Sequence, residues 1–436
     1  MKKIILIISV LLIAMTCSGC LLKTGDELLQ LPKPTEDYVA LQNQLDKILE
    51  TGAVYTAPEG GQNRSTVQLV DVDGDGEEEA VSFFKEGAAG GKFTVYVHKK
   101  IGTEYILMGS VAGTGTDILS VEYPVIAEGV NGIAVCWQLG KDMGKGITIC
   151  SFENGRLKTI LDTSYSEYIC TDLNHDEVQE LVTFVLDKQG RKTARLYAYL
   201  DGKMELASEV SLSREVASIS KIKVGAIRGG RQALYVEEKN ESGIGLSTDI
   251  LIIKNRELVN LAAETQQTTD VGTYRAVSVY ARDINNDGVT EVPSTVTMPG
   301  YENRTSGETV WLLDWYVYSS TAKPEKVERT FYNTSEDWML KVPESWLDVV
   351  CATKKTDETG NAYTSFNVVS NGLEGEQILR IYAFTGDDAR YLGSEFIPLG
   401  LRDEVTFAAQ IPQGEYALNE AQLSDLFKLI TQDWMS

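Results

Sequence analysis

The sequence predicts a mainly β protein, a β-propeller of about five blades followed by a small α+β domain. Three observations carry that expectation. Short runs rich in Val, Ile, Tyr and Phe, divided by Gly, Asn and Asp, fill the chain from about 65 to 335. Within them one acidic nine-residue pattern recurs three times. From about 336 the texture changes to a few strand-like runs that end in a helical pattern.

The chain opens with Met1-Lys2-Lys3, the apolar run Ile4 to Met15, and then Thr16-Cys17-Ser18-Gly19-Cys20. A positive start, a short apolar core and small residues before a cleavage point describe a secretory signal over 1–19. Ser18-Gly19-Cys20 resembles the lipobox of bacterial lipoproteins, with Cys17 standing where leucine is usual. That resemblance implies cleavage before Cys20, a diacylglycerol on its sulfur, and a location on the extracytoplasmic face of the bacterial cell membrane. Residues 20–37, with Pro32 and Pro34, read as an extended tether. The membrane partner is then the lipid alone, because Ser, Thr and Gly interrupt the stretch as a spanning helix.

The body runs from 38 to 335. Thr35 can cap a helix with the apolar stripe Tyr38, Leu41, Leu45, Ile48 and Leu49, and Gly52 can end it. Runs such as SFFKEG, KFTVYVHKK, ARLYAYLDG and TDILIIKN then read as strands.

The repeated pattern is D-x-[DN]-x-D-[GE]-x-x-E between two strand-like runs. Its first copy holds Asp71, Asp73, Asp75, Gly76, Glu77 and Glu79. The second holds Asp172, Asn174, Asp176, Glu177 and Glu180. The third holds Asp283, Asn285, Asp287, Gly288, Val289 and Glu291. The copies start 101 and 111 residues apart, about two blades of roughly 40–50 residues each. Between them, Glu128–Gly132 and Arg228–Gly230 mark matching turns without the acids. Five units follow, starting near 65, 117, 166, 217 and 275.

Oxygen ligands at alternating positions on a tight turn can converge on a hard cation such as Ca²⁺. Positions 1, 3 and 5 offer side-chain oxygens, position 7 a backbone carbonyl, and position 9 a carboxylate. The first and third copies fit, with Glu77 and Val289 supplying the carbonyl. The second fits less well, because Glu177 stands where glycine permits the bend. An EF-hand is excluded, because the flanks are strands and position 12 is Ser82, Thr183 or Ser294 rather than Glu. These loops and their apolar flanks resemble the FG-GAP/VCBS repeats of calcium-loop propellers. The resemblance implies that each loop joins two strands of one blade and binds structural calcium. The family usually has Asp at the ninth position, where this chain has Glu79, Glu180 and Glu291.

Residues 336–436 read as the α+β domain. Its last element is a helix capped by Asn419 and Gln422, with Leu423, Leu426, Phe427, Ile430 and Trp434 on its apolar face.

Composition narrows the function. The chain has 63 Asp plus Glu against 40 Lys plus Arg, a formal charge of −23. Such a surface repels phosphate backbones, which excludes nucleic acid as a partner, and it suits cations. Only His98 and His175 exist, so a His-based triad or multi-His zinc site lacks material. Cys136 and Cys150 lie in neighbouring strand-like runs, either bridged or as buried free thiols. Trp311, Leu313 and Trp315 share one strand face and read as core rather than as a sugar platform. No G-x-S-x-G, H-E-x-x-H or phosphate-binding glycine loop occurs. The expectation is a non-enzymatic binding module with an unspecified protein or glycan ligand. The alternatives are an extracytoplasmic hydrolase acting on glycans and a solute-binding receptor.

Overall fold

The computed structural model describes residues 36–430, apart from 88–90, 142–143, 154, 187–191, 214–215, 242, 244, 306, 322, 371–374 and 386–392. The signal, Cys20, the tether up to Thr35 and Trp434 lie outside the described residues, while Glu36 and Asp37, expected in the tether, begin the first helix. No helix among the described residues is long and apolar enough to cross a membrane.

The chain is mainly β, as expected, and its described residues form six antiparallel sheets in chain order. Helix α1 (Glu36–Leu49) comes first and buries Leu45 and Ile48 against Phe84. It ends at Gly52, whose φ of +87° is the left-handed conformation that favours glycine. The first sheet holds β1 (Val54–Tyr55), β2 (Val67–Val70), β3 (Glu79–Glu86), β4 (Lys92–Ile101) and β5 (Glu104–Ala112). The second holds β6 (Asp117–Glu122), β7 (Val125–Ala127), β8 (Val130–Gln138), β9 (Lys145–Glu153) and β10 (Arg156–Tyr165). The third holds β11 (Glu167–Thr171), β12 (Glu180–Leu186), β13 (Lys192–Leu200) and β14 (Lys203–Ser211). The fourth holds β15 (Val216–Ala226), β16 (Gln232–Asn240), β17 (Leu246–Lys254) and β18 (Glu257–Asn260), followed by the short α2 (Leu261–Gln266). The first strands of these units fall where the repeat spacing puts them.

The fifth sheet holds β19 (Glu291–Thr297), β20 (Trp311–Val317), β21 (Glu325–Asn333) and β22 (Trp338–Lys341). The sixth holds β23 (Val350–Thr356), β24 (Ala362–Val368), β25 (Gln377–Thr385), β26 (Ile397–Arg402) and β27 (Val405–Gln410). The chain then forms α3 (Glu420–Leu426) and returns as β28 (Phe427–Leu429) to pair with β22.

Each sheet shares an apolar core with the next, which explains why the central strands are apolar on both faces rather than alternating. In β3 all six residues from Glu79 to Phe84 are buried. Val81, Phe83 and Val95 meet Ile118, Val135 and Trp137 between the first two sheets. Ile147 and Ile149 meet Leu181 and Tyr197 between the second and third. Phe184 and Leu196 meet Leu234 and Leu251 between the third and fourth. Tyr235 and Ile250 meet Val292 and Tyr318 next, and Phe331 and Trp338 meet Phe366 and Ile381 last.

Two expectations change. The C-terminal segment is not separate from 336 onward. Trp338–Lys341 is a strand of the fifth sheet, and the sixth sheet packs on the fifth. The terminal helix keeps its expected Asn419–Gln422 capping box but stops at Leu426. The open edge of β22 takes Phe427–Leu429 as a strand instead, so Phe427 and Ile430 are buried from extended chain. Of the two readings left open for Cys136 and Cys150, the buried free thiols hold. Cys136 pairs with Ile147 and Cys150 with Ile133, a three-residue offset that turns the thiols to opposite faces of the sheet. Trp315 is core, as expected, with its indole N–H donating to Thr330 Oγ1 at 2.8 Å.

Polar groups are also buried between sheets. Arg275 is fully buried and bonds to Glu237, to Thr248 Oγ1 at 2.9 Å and to the Thr273 carbonyl at 3.0 Å. Ala281 N–H donates to the other Glu237 oxygen at 2.6 Å, which ties the strand-free segment 275–282 to the fourth sheet. On the opposite face of β16, Glu238 meets Asp249, whose oxygens accept from Ser213 N and Oγ at 2.7 and 2.9 Å. Burial first, and then the Asp249 and Glu237 charges, push Glu238 up to about 11. It stays protonated at neutral pH beside Asp249, and neither of its oxygens has a hydrogen-bond partner.

The folded value lies above the unfolded value of 4.5, so holding that proton costs nothing below the unfolded value and progressively more as pH rises. Glu238→Gln, a neutral donor of similar shape, should therefore stabilise the protein at pH about 7.5 by on the order of 2 kcal/mol. The gain should shrink toward pH about 4.5, as read by urea midpoints across that range. An equal effect at both ends would show that Glu238 does not hold the proton.

Candidate functional site

The three acidic loops are the candidate site, and they fold alike. In each, the residue before position 1 pairs with position 9: Val70 with Glu79, Thr171 with Glu180, and Arg282 with Glu291. Position 1 reaches across the turn to the backbone of position 6. Gly76 N–H donates to Asp71 Oδ2 at 2.9 Å, Glu177 N–H to Asp172 Oδ2 at 2.9 Å, and Gly288 N–H to Asp283 Oδ2 at 2.8 Å. Position 5 accepts from position 7: Glu77 N–H to Asp75 at 2.9 Å, Val178 N–H to Asp176 at 3.0 Å, and Val289 N–H to Asp287 at 2.8 Å. Position 9 accepts from position 2: Val72 N–H to Glu79 at 3.0 Å, Leu173 N–H to Glu180 at 2.8 Å, and Ile284 N–H to Glu291 at 3.0 Å. The side chains at position 2 are buried and staple each loop to its core.

Positions 4 and 6 are left-handed throughout. They are Gly74 and Gly76, His175 and Glu177, and Asn286 and Gly288, with φ between +62° and +89°. The second turn was expected to be strained or different because of Glu177. It has the same shape, and Glu177 takes the glycine conformation at φ +68°, which costs roughly 1 kcal/mol.

The loops differ in what meets the second oxygen of the position-9 glutamate. In the first, Lys99 reaches in from β4. Its ammonium bonds Asp73, lies 2.5 Å from Asp75 Oδ2 and lies 3.5 Å from Glu79 Oε1. Asp71, Asp73 and Glu79 present oxygens all within 4.8 Å of one another. Burial alone would lower Lys99, but its bonds to Asp73 and Asp75 more than offset this and raise it. The Lys99 bond holds Asp75 below the usual carboxylate range. In the second loop the Asn174 amide donates to Glu180 Oε1. Burial works against Asp172 there, yet N–H bonds from Glu177, His175, Asp176 and Asn174 hold it low. In the third, Glu291 is fully buried and its Oε1 has no hydrogen-bond partner. Asn285 turns its amide to Asp287 Oδ2 instead, at 3.0 Å. Burial, then the charges of Asp287 and Asp283, push Glu291 up to about 7.

All three loops take the same turn, but among the described residues only the first brings three carboxylate oxygens within 4.8 Å of one another. Sequence reasoning missed Lys99, although the signal was there: counting back along KFTVYVHKK from the hairpin places Lys99 opposite Glu79. At the first loop an ammonium stands among the carboxylates expected to hold the ion. The two histidines serve no site. His98 is buried in β4, pushed down to about 4 by burial and then by Lys47, and His175 sits on the second turn. A separate cavity of about 270 Å³ lies between the fourth and fifth sheets, lined by Lys221, Lys223, Tyr280, Arg282 and Tyr332 among others.

No family model matches the sequence, and no curated protein matches it. Solved structures of similar arrangement include a protein from Lactobacillus plantarum, 11% identical, covering 73% of this chain and 87% of that one at a TM-score of 0.30. Another is the rhamnogalacturonan lyase YesW, 9% identical, covering 84% and 74% at 0.27. A third is a GH93 α-L-arabinofuranosidase of Fusarium graminearum, 8% identical, covering 67% and 93% at 0.24. Likenesses of this size assign no activity. The expectation that the chain is no enzyme is not upheld, and catalysis is not excluded.

Replacing Glu177 by Gly should relieve the left-handed strain and stabilise the protein by about 1 kcal/mol. Gly288→Ala, with open space around the added carbon, should cost a similar amount through φ alone. Urea midpoints at unchanged slope would check both.

Proposed function

We propose that this protein is a bacterial lipoprotein, tethered through Cys20 on the extracytoplasmic face, whose sheets close as a propeller braced by divalent cations at its acidic corners. It presents that braced body to a protein or glycan ligand. The observation that carries the reading is Glu291 Oε1, an acceptor buried beside Asp283 and Asp287 with nothing to accept from. Among the described residues no lysine or arginine pairs with these three carboxylates. A buried carboxylate without a partner is costly, and a hard cation ligated by oxygens answers that cost. The third corner, with Asp283, Asn285, Asp287, the Val289 carbonyl and Glu291, is therefore the foremost Ca²⁺ site. The second, with Asp172, Asn174, Asp176 and Glu180, is weaker, because the Asn174 amide already serves Glu180.

Calcium at about 100 times its dissociation constant should stabilise the protein by about 2.7 kcal/mol, read as a rise in melting midpoint that chelator reverses. Glu291→Gln should abolish the response. A wild-type midpoint unmoved by either addition would overturn the ion reading. For the anchor, the wild-type protein should enter the detergent phase on cloud-point separation and Cys20→Ala should remain aqueous. Identical partitioning of the two would remove the lipid.

A further inference from the structure

We propose that Lys99 is a built-in replacement for the metal ion at the first corner, so that this corner is fixed without metal while the third depends on it. The inference rests on reading the corners as cation sites. The geometry points to it in three ways. The Lys99 ammonium stands among Asp73, Asp75 and Glu79, the side chains offered by positions 3, 5 and 9. Glu79 is fully buried, and its Oε1, which has no hydrogen-bond partner, faces that ammonium. The register supplies the third. Ala80 pairs with His98, so Lys99 stands opposite Glu79 on the adjacent strand. The same place is Ala198 opposite Glu180, next to the Leu181–Tyr197 pair, and Val317 opposite Glu291. Neither carries a charge, so of the three glutamates only Glu79 faces a cation from the adjacent strand; at the third corner Lys428 Nζ instead donates to the Ile284 carbonyl at 3.4 Å.

A single positive charge on a four-carbon stem neutralises less than a divalent ion, but it is held by the fold and cannot be removed by chelation. Two like charges cannot share the space between the same carboxylates, so the ammonium also keeps Ca²⁺ out. Removing it should leave an acidic cage of Asp71, Asp73, Asp75 and Glu79 open to a divalent cation.

The test compares wild type, Lys99→Met and Lys99→Met/Glu291→Gln by counting bound Ca²⁺ in equilibrium dialysis and by melting with and without chelator. In chelator, Lys99→Met should melt about 5 °C or more below wild type, and millimolar Ca²⁺ should restore most of the loss. It should also bind one more ion per chain than wild type. The double variant should keep that extra ion while losing the one at the third corner. No extra ion in Lys99→Met, with the wild-type count intact, would overturn this inference and leave the third corner standing. An extra ion in Lys99→Met with none in wild type would do the reverse. Acylation of native wild-type protein, mapped by mass spectrometry, guards against a variant that fails to fold. Lys99 should be protected equally with and without Ca²⁺, and exposure on adding Ca²⁺ would show that the ion displaces it.

Discussion

The acidic corners depend on one glutamate bond. At position 9 the side chain turns back into the loop and accepts the position-2 N–H, which fixes the buried residue at position 2 and hence the exit angle of the strand. This places a carboxylate where water does not reach. One of its oxygens is then satisfied by the backbone and the other must find a partner of its own. The three corners share the first bond and differ in the second. Lys99 supplies an ammonium, Asn174 supplies an amide, and at Glu291 the place is unfilled by protein.

That local demand is set by the stacking of the sheets. Each corner leads into a strand, β3, β12 or β19, whose residues just past the corner are buried on both faces. A ninth-position aspartate would be one carbon shorter; glutamate reaches from the strand start to the position-2 N–H across the turn. The cores between sheets then hold the corner rigid, since Val72, Leu173 and Ile284 belong to them. In the fifth unit the segment before the corner lacks a continuous ladder. The buried Arg275–Glu237 pair and the Ala281 N–H take over its anchoring. Breaking such a pair from one side would cost about 3–5 kcal/mol, because the remaining charge stays buried.

Much of this was legible in the residues. Period-two runs and the spacing of the acidic pattern located the sheets, because hydrogen-bonded turns need Gly, Asn and Asp at fixed offsets. The backbone pattern of the corners followed from the same offsets. What was not legible arose from partners distant in sequence. Lys99 is 26 residues from Asp73, and its role appears only once β3 and β4 are in register. The early end of the last helix has the same origin. Leu423, Phe427 and Ile430 keep helical spacing, yet the unpaired edge of β22 offered Phe427–Leu429 backbone partners that local propensity could not foresee. Glu177 shows the limit of a residue-type rule: the shared bonds of the loop hold it in a glycine conformation despite the strain.

The surplus of acid in this chain is usually read as a surface property, but several of its carboxyl groups are inside, and how each is compensated makes an internal comparison. Glu237 is met by Arg275, and Asp314 by a two-pronged Arg329 at 2.6 and 2.9 Å. Glu238 is met by a proton, Glu79 by Lys99, and Glu180 by Asn174. Five sites thus use a guanidinium, an ammonium, an amide or a proton. The fold therefore solves the burial of a carboxylate wherever it occurs, by whichever donor the adjacent strand can deliver. At Glu291 the adjacent strand delivers Val317, which has nothing to donate. Glu79 Oε1 and both Glu238 oxygens also lack hydrogen-bond partners, but the first faces an ammonium and the Glu238 carboxyl group is protonated; Glu291 Oε1 has neither answer. A ligand from solvent accounts for it in the same currency as the other five, by placing positive charge or a donor where the chain itself places none.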